Sequence, residues 1–196
     1  MQNKGTHTRD HILTIGRDLM SERGFNALGL GELLKTAKVP KGSFYHYFES
    51  KEDFGCALLE RYVESYHQRL DELWVDKAVS GRDHLMSFFN MWMIRQSTRQ
   101  SAQQCLIVKL GAEISDMSDG MRRILAEGTS SIVERMVDQI KIGITDRSIP
   151  SHVEPRSLAN HLYQMWLGAS LLAKLDQSIQ PFQSALKNTE SLLPRP

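Results

Sequence analysis

Four hydrogen-bonding side chains occur close together between residues 39 and 51 of the chain. They are the ammonium of Lys41, the hydroxyl of Ser43, the phenol of Tyr45 and the imidazole of His46. All four groups can donate hydrogen bonds to phosphate oxygens. Gly42 lies among them and has no side chain, so the backbone there can come close to a ligand. The pattern therefore indicates a surface that binds nucleic acid.

A second candidate for chemistry is Cys105, one of two cysteines in the chain. The apolar pattern predicts a helix over about residues 104–114, which puts this thiol at or near a helix N-terminus with Lys109 one turn later. Both features lower the pKa of a thiol and make it more reactive. The alternative is that Cys105 is a small buried hydrophobic residue. Cys56 lies on the apolar side of another predicted helix and is interpreted as core.

Further along the chain, Trp92 and Trp166 could line a pocket for a small-molecule inducer, although aromatic residues at helical spacing are more often plain core. Lys174 could add to the positive charge near Cys105 and so support sensing. The seven histidines show no spacing that suits a metal ion. We therefore expect neither a metal site nor a cofactor.

Composition narrows the class of protein. The chain has 196 residues, 41% of them hydrophobic, which is enough for a core and argues against disorder. It lacks an apolar run of about 18 residues and an apolar signal core at its N-terminus, so we expect a cytoplasmic protein without a membrane span. Residues 1–51 carry eight Lys/Arg and five Asp/Glu, whereas the remainder carries sixteen and eighteen. A basic N-terminal part and a slightly acidic remainder fit a small DNA-binding module.

The elements that must position these side chains are helices throughout. Helical periodicity predicts an all-α fold of about nine helices. The first runs over about 8–23 with Thr8 as its cap and Gly24 after its end, and the second over about 30–37. A third, over about 40–48, begins near Pro40, and Ser50 with Asp53 resembles a capping box for the fourth.

The first three helices predict a helix-turn-helix. In the third, Phe44 and Phe48 are four residues apart and share a face that packs on the other two helices. The outer face then carries the polar groups, as expected of a helix that enters the major groove. Tyr47 lies beside the buried face, and Lys51 is near the start of the fourth helix, where a phosphate is also favoured. We predict a DNA-binding domain over 1–51 and a larger regulatory and dimerisation domain over 52–196.

The last two helices predict a dimer interface. The helix over about 154–174 is apolar on more than one face, which is more than packing within its own domain requires. Gly168, Ala169 and Ala173 would let a partner helix come close. We therefore predict a homodimer formed through about 154–174 and 181–193.

Several motifs in the first 60 residues carry a family resemblance. They are Arg-Gly-Phe at 23–25, Gly-Glu-Leu-Leu at 31–34 and Val-Pro-Lys-Gly-Ser-Phe-Tyr-His-Tyr-Phe-Glu-Ser-Lys-Glu at 39–52. Together they resemble the DNA-binding domain of TetR-family transcriptional regulators. The resemblance implies a homodimer with one helix-turn-helix per subunit and an inducer-binding C-terminal helical domain. It also implies that double-stranded operator DNA is contacted by Lys41, Ser43, Tyr45, His46, Tyr47 and Lys51. Where the family often has Thr or Ser at the start of the second helix, this chain has Leu28-Gly29-Leu30.

A narrower resemblance involves the segment 104–113, which contains Cys105-Leu106 and Lys109-Leu110, together with Leu167-Gly168-Ala169 and Ala173-Lys174. These residues resemble the branch of the family that represses electrophile-detoxifying reductase operons, similar to the N-ethylmaleimide reductase repressors. The resemblance implies a repressor released by an electrophile or oxidant that acts on Cys105. Regulators of this branch often have Gly before the cysteine, where this chain has Gln104.

Two other functions stay open at this point. One is the same repressor with a small-molecule inducer that binds without a covalent bond, with Cys105 as core. The other is an all-α enzyme that keeps a helix-turn-helix for structural reasons. The sequence has no nucleophile–base pair, phosphate loop or metal cluster that would support an enzyme. We therefore expect a regulator and no catalytic activity.

Overall fold

The computed structural model of the protein describes residues 3–97 and 105–194, and within them it contains nine α-helices and no strand. The all-α prediction is confirmed. The helices are α1 (Asn3–Arg23), α2 (Leu30–Ala37), α3 (Lys41–Tyr47), α4 (Lys51–Leu73), α5 (Gly81–Ser97), α6 (Leu106–Met117), α7 (Asp119–Thr145), α8 (Pro155–Asp176) and α9 (Gln180–Leu192).

The observed helix ends follow local backbone chemistry. Gly24 has a φ of 89°, a left-handed conformation that ends α1 as predicted. The amide of Asp53 donates to the Ser50 hydroxyl, which confirms Ser50 as the cap of α4. The Asp53 carboxylate accepts from the amide of Glu49, one residue before the cap, so the arrangement is close to a capping box. The prediction that Thr8 caps α1 is wrong, because α1 begins at Asn3 and Thr8 lies within it. No proline precedes Thr8 to stop the helix there. The predicted start of α6 at residue 104 lies outside the described residues.

Helices α1, α2 and α3 pack around one apolar cluster, to which α4, α6 and α7 also contribute. His11 ties α1 to α2, since its Nε2 atom lies 2.9 Å from the carbonyl oxygen of Ala37. The fully or nearly fully buried members of the cluster include Ile12, Leu13, Met20, Leu33, Phe44, Phe48, Phe54, Leu59, Leu106, Leu110 and Ile114. Helix α6 is therefore part of the same core as the helix-turn-helix.

The chain forms two compact units. The first contains Met1–Glu64 and Gln100–Ala126, and the second contains Ser65–Arg99 and Glu127–Pro196. Two of the three boundaries between the units fall inside α4 and α7. The predicted division at residues 51 and 52 concerns function, and it stays a prediction. What the structure adds is that α6 and the beginning of α7 belong to the same compact unit as the helix-turn-helix.

Candidate nucleic-acid interface and thiol site

Helix α3 has a buried face that fixes its position. Phe44 is 0% exposed and Phe48, directly after the helix, is 1% exposed. Their ring centroids lie 5.6 and 5.2 Å from that of Phe54 in α4. Aromatic rings at such separations add to the free energy of burial itself. The two phenylalanines therefore hold α3 against α4 and leave its other face outward.

The outward face carries the predicted DNA-contacting groups. Tyr45 is 49% exposed, and the Lys41 ammonium lies 5.8 Å from the centre of its ring. The rings of His46 and Tyr47 are 4.8 Å apart. Within the set, Lys41, Gly42, Tyr45 and His46 are exposed, and Ser43 and Tyr47 are half-buried. Several hydrogen-bond donors thus occupy one short, exposed helix, which is the arrangement that phosphate and base-edge contacts require.

Gly42 leaves open space on this face. A Cβ atom added there would meet no other heavy atom of the protein within 4 Å. The protein's own packing therefore does not demand glycine at this position. A ligand that approaches the α3 backbone closely would demand it.

Lys51 has a different environment from the other predicted contacts. Its ammonium lies 4.8 Å from the centre of the Phe25 ring and donates to the carbonyl oxygen of Asn26 at 3.5 Å. Partial burial lowers the pKa of Lys51, and the nearby Glu113 carboxylate opposes that shift. The side chain is thus turned toward the loop between α1 and α2, and its contact with a phosphate remains a prediction.

Cys105 is the N-cap residue of α6, as its predicted place at a helix N-terminus required. Its side chain is buried, with 8% exposure. The Tyr62 hydroxyl of α4 donates to its Sγ atom across 3.9 Å. The thiol is therefore buried between the beginning of α6 and the middle of α4, in contact with Tyr62, which packs against the apolar cluster of the first unit.

The predicted effect on the thiol pKa is wrong in sign. Burial raises the pKa of Cys105, and this outweighs the backbone amides of Val108 and Ile107 and the Tyr62 hydroxyl, which act to lower it. Lys109 is not among the groups that shift this pKa. Its ammonium donates to the carbonyl oxygen of Glu22 at 3.0 Å. A helix N-terminus activates a thiol only where the thiolate is also solvated.

The other predicted sensing residues lie in the second unit. The indole N–H of Trp92 donates to the Ser170 hydroxyl at 3.0 Å, and that of Trp166 donates to the Thr189 hydroxyl at 2.9 Å. Both tryptophans are buried in an aromatic cluster of this unit. Their polar atoms are therefore used inside the core, and a role in an inducer pocket stays a prediction. Lys174 is exposed in the last turn of α8.

Three further findings concern the described residues. Cys56 is half-buried, and its pKa is raised by burial first and then by the carboxylates of Glu52, Glu60 and Asp53. Within residues 3–97 and 105–194, no group of three or more His, Cys, Asp or Glu side chains is arranged to hold a metal ion. In the same residues, no helix is both long and apolar enough to cross a membrane.

Family models match both parts of the chain. The model for bacterial regulatory proteins of the tetR family matches residues 12–55, which include α2, α3 and most of α1. The model for the tetracyclin repressor-like C-terminal domain matches residues 81–189, more than half of the chain. The chain belongs to the TetR family. TetR-family regulators bind operator DNA and small-molecule inducers and act as dimers.

Several relatives within the TetR family are similar along nearly the whole chain. The HTH-type transcriptional repressor NemR of Escherichia coli K12 is 40% identical over 99% of this chain and 98% of NemR. The repressor DhaR of Mycobacterium sp. strain GP1 is 30% identical over 96% of this chain and 94% of DhaR. The crystal structure of the reduced form of E. coli NemR has a TM-score of 0.91 and 41% identity, covering 97% of this chain and 98% of that chain. The protein is thus a TetR-family transcriptional repressor closely related to NemR.

Two side chains near the predicted sites were not found from the sequence. Tyr62 contacts the thiol from α4, and Glu113 in α6 accepts from the backbone amides of Phe25 and Asn26. Each contact joins residues far apart in the chain. No local motif predicts a contact between residues so far apart. The sequence does indicate that Glu113 shares a helix face with Lys109, because the two are four residues apart.

Proposed function

We propose that the protein is a homodimeric repressor that binds palindromic operator DNA through α3 and is released when an electrophile or oxidant modifies Cys105. The single observation that carries this proposal is the burial of Cys105 at the N-cap of α6, in contact with Tyr62, which packs against the apolar cluster that also holds the helix-turn-helix. A change at the thiol therefore acts on the unit that reads DNA. The protein acts as a regulator and has no catalytic role, like the relatives it resembles.

The DNA-binding step uses the outward face of α3. Lys41, Tyr45 and His46 contact phosphates and base edges, with Ser43 and Tyr47 beside them. Gly42 lets the backbone approach the groove. Two copies of α3 must be spaced by about 34–36 Å or a multiple to reach successive major grooves on one side of the duplex. This requirement makes the dimer part of the mechanism.

The dimer forms through α8 and α9. Toward the end of α8, the exposed fractions of Leu171, Leu172 and Leu175 are 48%, 51% and 69%, and Gly168 has open space beside it. Burial of one leucine side chain contributes about 1.5–3 kcal/mol. Leu172→Glu combined with Leu175→Glu should therefore convert the dimer to monomers in analytical ultracentrifugation. An unchanged dimer would place the interface elsewhere.

The sensing step is an addition reaction at sulfur. The Cys105 thiol loses its proton to solvent, and the sulfur adds to the β-carbon of an α,β-unsaturated carbonyl. A C–S bond forms, the π pair of the C=C bond moves to the α-carbon, and that carbon takes a proton from water. Hydrogen peroxide would instead transfer one oxygen atom to the sulfur, which gives a sulfenic acid and releases water. Because burial raises the pKa of Cys105, we expect the reaction to be slow.

The burial that slows the reaction also makes its product disruptive. A side chain with 8% exposure has no room for several added atoms, and overpacking a core costs about 1–3 kcal/mol or more. The adduct presses on Tyr62 of α4 and on the first turn of α6, which are next to the thiol. Both helices belong to the cluster that holds α3, so the recognition helices lose the placement that fits the operator.

The competing function is a repressor with an inducer that binds without a covalent bond. The burial of Cys105 and its raised pKa favour this alternative, because both are ordinary for a core cysteine. The NemR crystal structure is of a reduced form, which favours a regulator that responds to redox state. Blocking the thiol separates the two functions.

The decisive experiment is a gel-shift assay on the DNA just upstream of the gene that encodes this chain, with and without N-ethylmaleimide. We expect the wild type and Cys56→Ser to bind the DNA and to be released by the reagent. Cys105→Ser should bind equally well and stay bound. Release of Cys105→Ser by the same reagent would refute the cysteine mechanism, and an inability of the wild type to bind any such DNA would refute the operator assignment.

A further inference from the structure

Helix α6 contacts the last turn of α1 and the loop between α1 and α2. The Lys109 ammonium donates to the carbonyl oxygen of Glu22 at 3.0 Å. One carboxylate oxygen of Glu113 accepts from the amide of Asn26 at 2.6 Å, and the other accepts from the amide of Phe25 at 3.3 Å. We refer to Lys109 and Glu113, with these contacts, as the α6 clamp.

The charges of the α6 clamp match the backbone groups that they meet. Glu22 is in the last turn of α1, and a helix C-terminus has partial negative charge that favours an ammonium. The loop that follows presents successive amides beyond the left-handed Gly24, an arrangement that favours an anion. Lys109 and Glu113 are four residues apart and therefore lie on the same face of α6. The fit is close, since a Cβ atom at Gly24 would lie 2.8 Å from a Glu113 oxygen.

The loop held in this way leads directly into α2. Gly29, the N-cap of α2, has no side chain to accept from the first amides of that helix. The same loop also receives the Lys51 ammonium of α4 at Asn26. The loop conformation therefore influences both the supporting helix of the helix-turn-helix and the lysine that follows α3.

We infer that Glu113 is a positioning residue for DNA binding, which fixes the loop between α1 and α2 and so makes the placement of α2 and Lys51 depend on α6. The inference rests on the DNA-binding function of the family and not on the reactivity of Cys105. It assigns Glu113 no contact with DNA. A carboxylate close to DNA repels phosphates, so a purely electrostatic effect of Glu113 would weaken binding.

Loss of Glu113 should lower DNA affinity if the residue positions the loop and raise it if the residue acts only by its charge. This difference provides the test. The variants are Glu113→Ala, Glu113→Gln and the control Asp116→Ala, which removes an exposed carboxylate from the same helix. The probe is a DNA duplex enriched by the reduced wild-type protein from a randomised palindromic pool. DNA affinity is measured at a temperature below the thermal-unfolding midpoint of each variant. The hydrogen-exchange rates of the Phe25 and Asn26 amides are measured by NMR.

We expect Glu113→Ala to bind the duplex at least about tenfold more weakly, equivalent to about 1.4 kcal/mol, and to exchange both amides faster. Glu113→Gln keeps one acceptor oxygen and should fall between Glu113→Ala and the wild type. Asp116→Ala should bind as tightly as the wild type or slightly more tightly.

The inference is overturned if Glu113→Ala binds as well as or better than the wild type while its two amides exchange faster. It is also overturned if the amide exchange does not change, or if Asp116→Ala loses as much affinity as Glu113→Ala. If Glu113→Ala does not fold, Glu113→Gln decides the question, because weaker binding with faster exchange supports the inference and unchanged binding overturns it.

Discussion

The hydrogen-bonding side chains of α3 lie at the surface, whereas the thiol at the N-cap of α6 is buried in the core. Tyr45 is 49% exposed on α3, and Cys105 is 8% exposed at α6. On α3, the residue type largely determines which ligand groups a side chain can bind, because an exposed phenol or ammonium is accessible to a ligand. At Cys105, the environment decides, because the same thiol is a reactive group when solvated and a core residue when buried. This difference explains why the buried and exposed faces of α3 could be predicted from the sequence, whereas the environment of Cys105 could be predicted only in part.

The largest expected effect separates the two faces of α3. Phe44→Ala removes a fully buried ring and should lower the free energy of unfolding by about 3–5 kcal/mol. Tyr45→Ala, one residue later on the exposed face, should lower it by less than about 1 kcal/mol. Urea unfolding at one fixed protein concentration measures both. Equal losses would mean that Tyr45 is also a core residue and that α3 lacks a free face.

The next effect concerns DNA affinity. Tyr45→Ala should weaken operator binding by about ten- to a hundredfold, as the loss of a phosphate or base contact costs about 1–3 kcal/mol. Tyr45→Phe is the matched control, because it keeps the ring beside Lys41 and removes only the hydroxyl. A quantitative gel shift measures the operator affinities of the wild type, Tyr45→Ala and Tyr45→Phe. Binding of Tyr45→Ala at wild-type strength would remove Tyr45 from the interface.

A smaller effect tests the open space at Gly42. Gly42→Ala should weaken operator binding by about tenfold, roughly 1.4 kcal/mol. The fold should be unaffected or stabilised by up to about 1 kcal/mol, because alanine favours a helix. Gly111→Ala is the control, since Gly111 is also a helical glycine with open space beside it and lies in α6. Equal affinities for the two variants would show that DNA does not approach Gly42 closely.

The sequence predicted those parts of the fold that depend on neighbours in the chain. The left-handed Gly24, the Ser50–Asp53 cap and the limits of α2 all follow from local residue types. The two faces of α3 follow from the four-residue spacing of Phe44 and Phe48. Thr8 failed as a cap because a helix can continue through a threonine when nothing before it stops the helix.

The features that were missed depend on residues far apart in the chain. Burial of Cys105 arises from packing of α6 on α4, which no periodicity near residue 105 reveals, and it reverses the predicted direction of the thiol pKa. Lys109 was expected to activate the thiol, but Glu22, 87 positions away, accepts its hydrogen bond. Glu113 is paired across a similar distance with Phe25 and Asn26.

The central claim is that modification of Cys105, and not of Cys56, releases the DNA. The most direct measurement follows both cysteines by mass spectrometry during reaction with N-ethylmaleimide, while the fraction of protein bound to DNA is recorded in the same samples. We expect DNA release and loss of the free Cys105 thiol to follow one time course, whatever the rate at Cys56. Release before Cys105 reacts, or continued binding after Cys105 is fully modified, would contradict it.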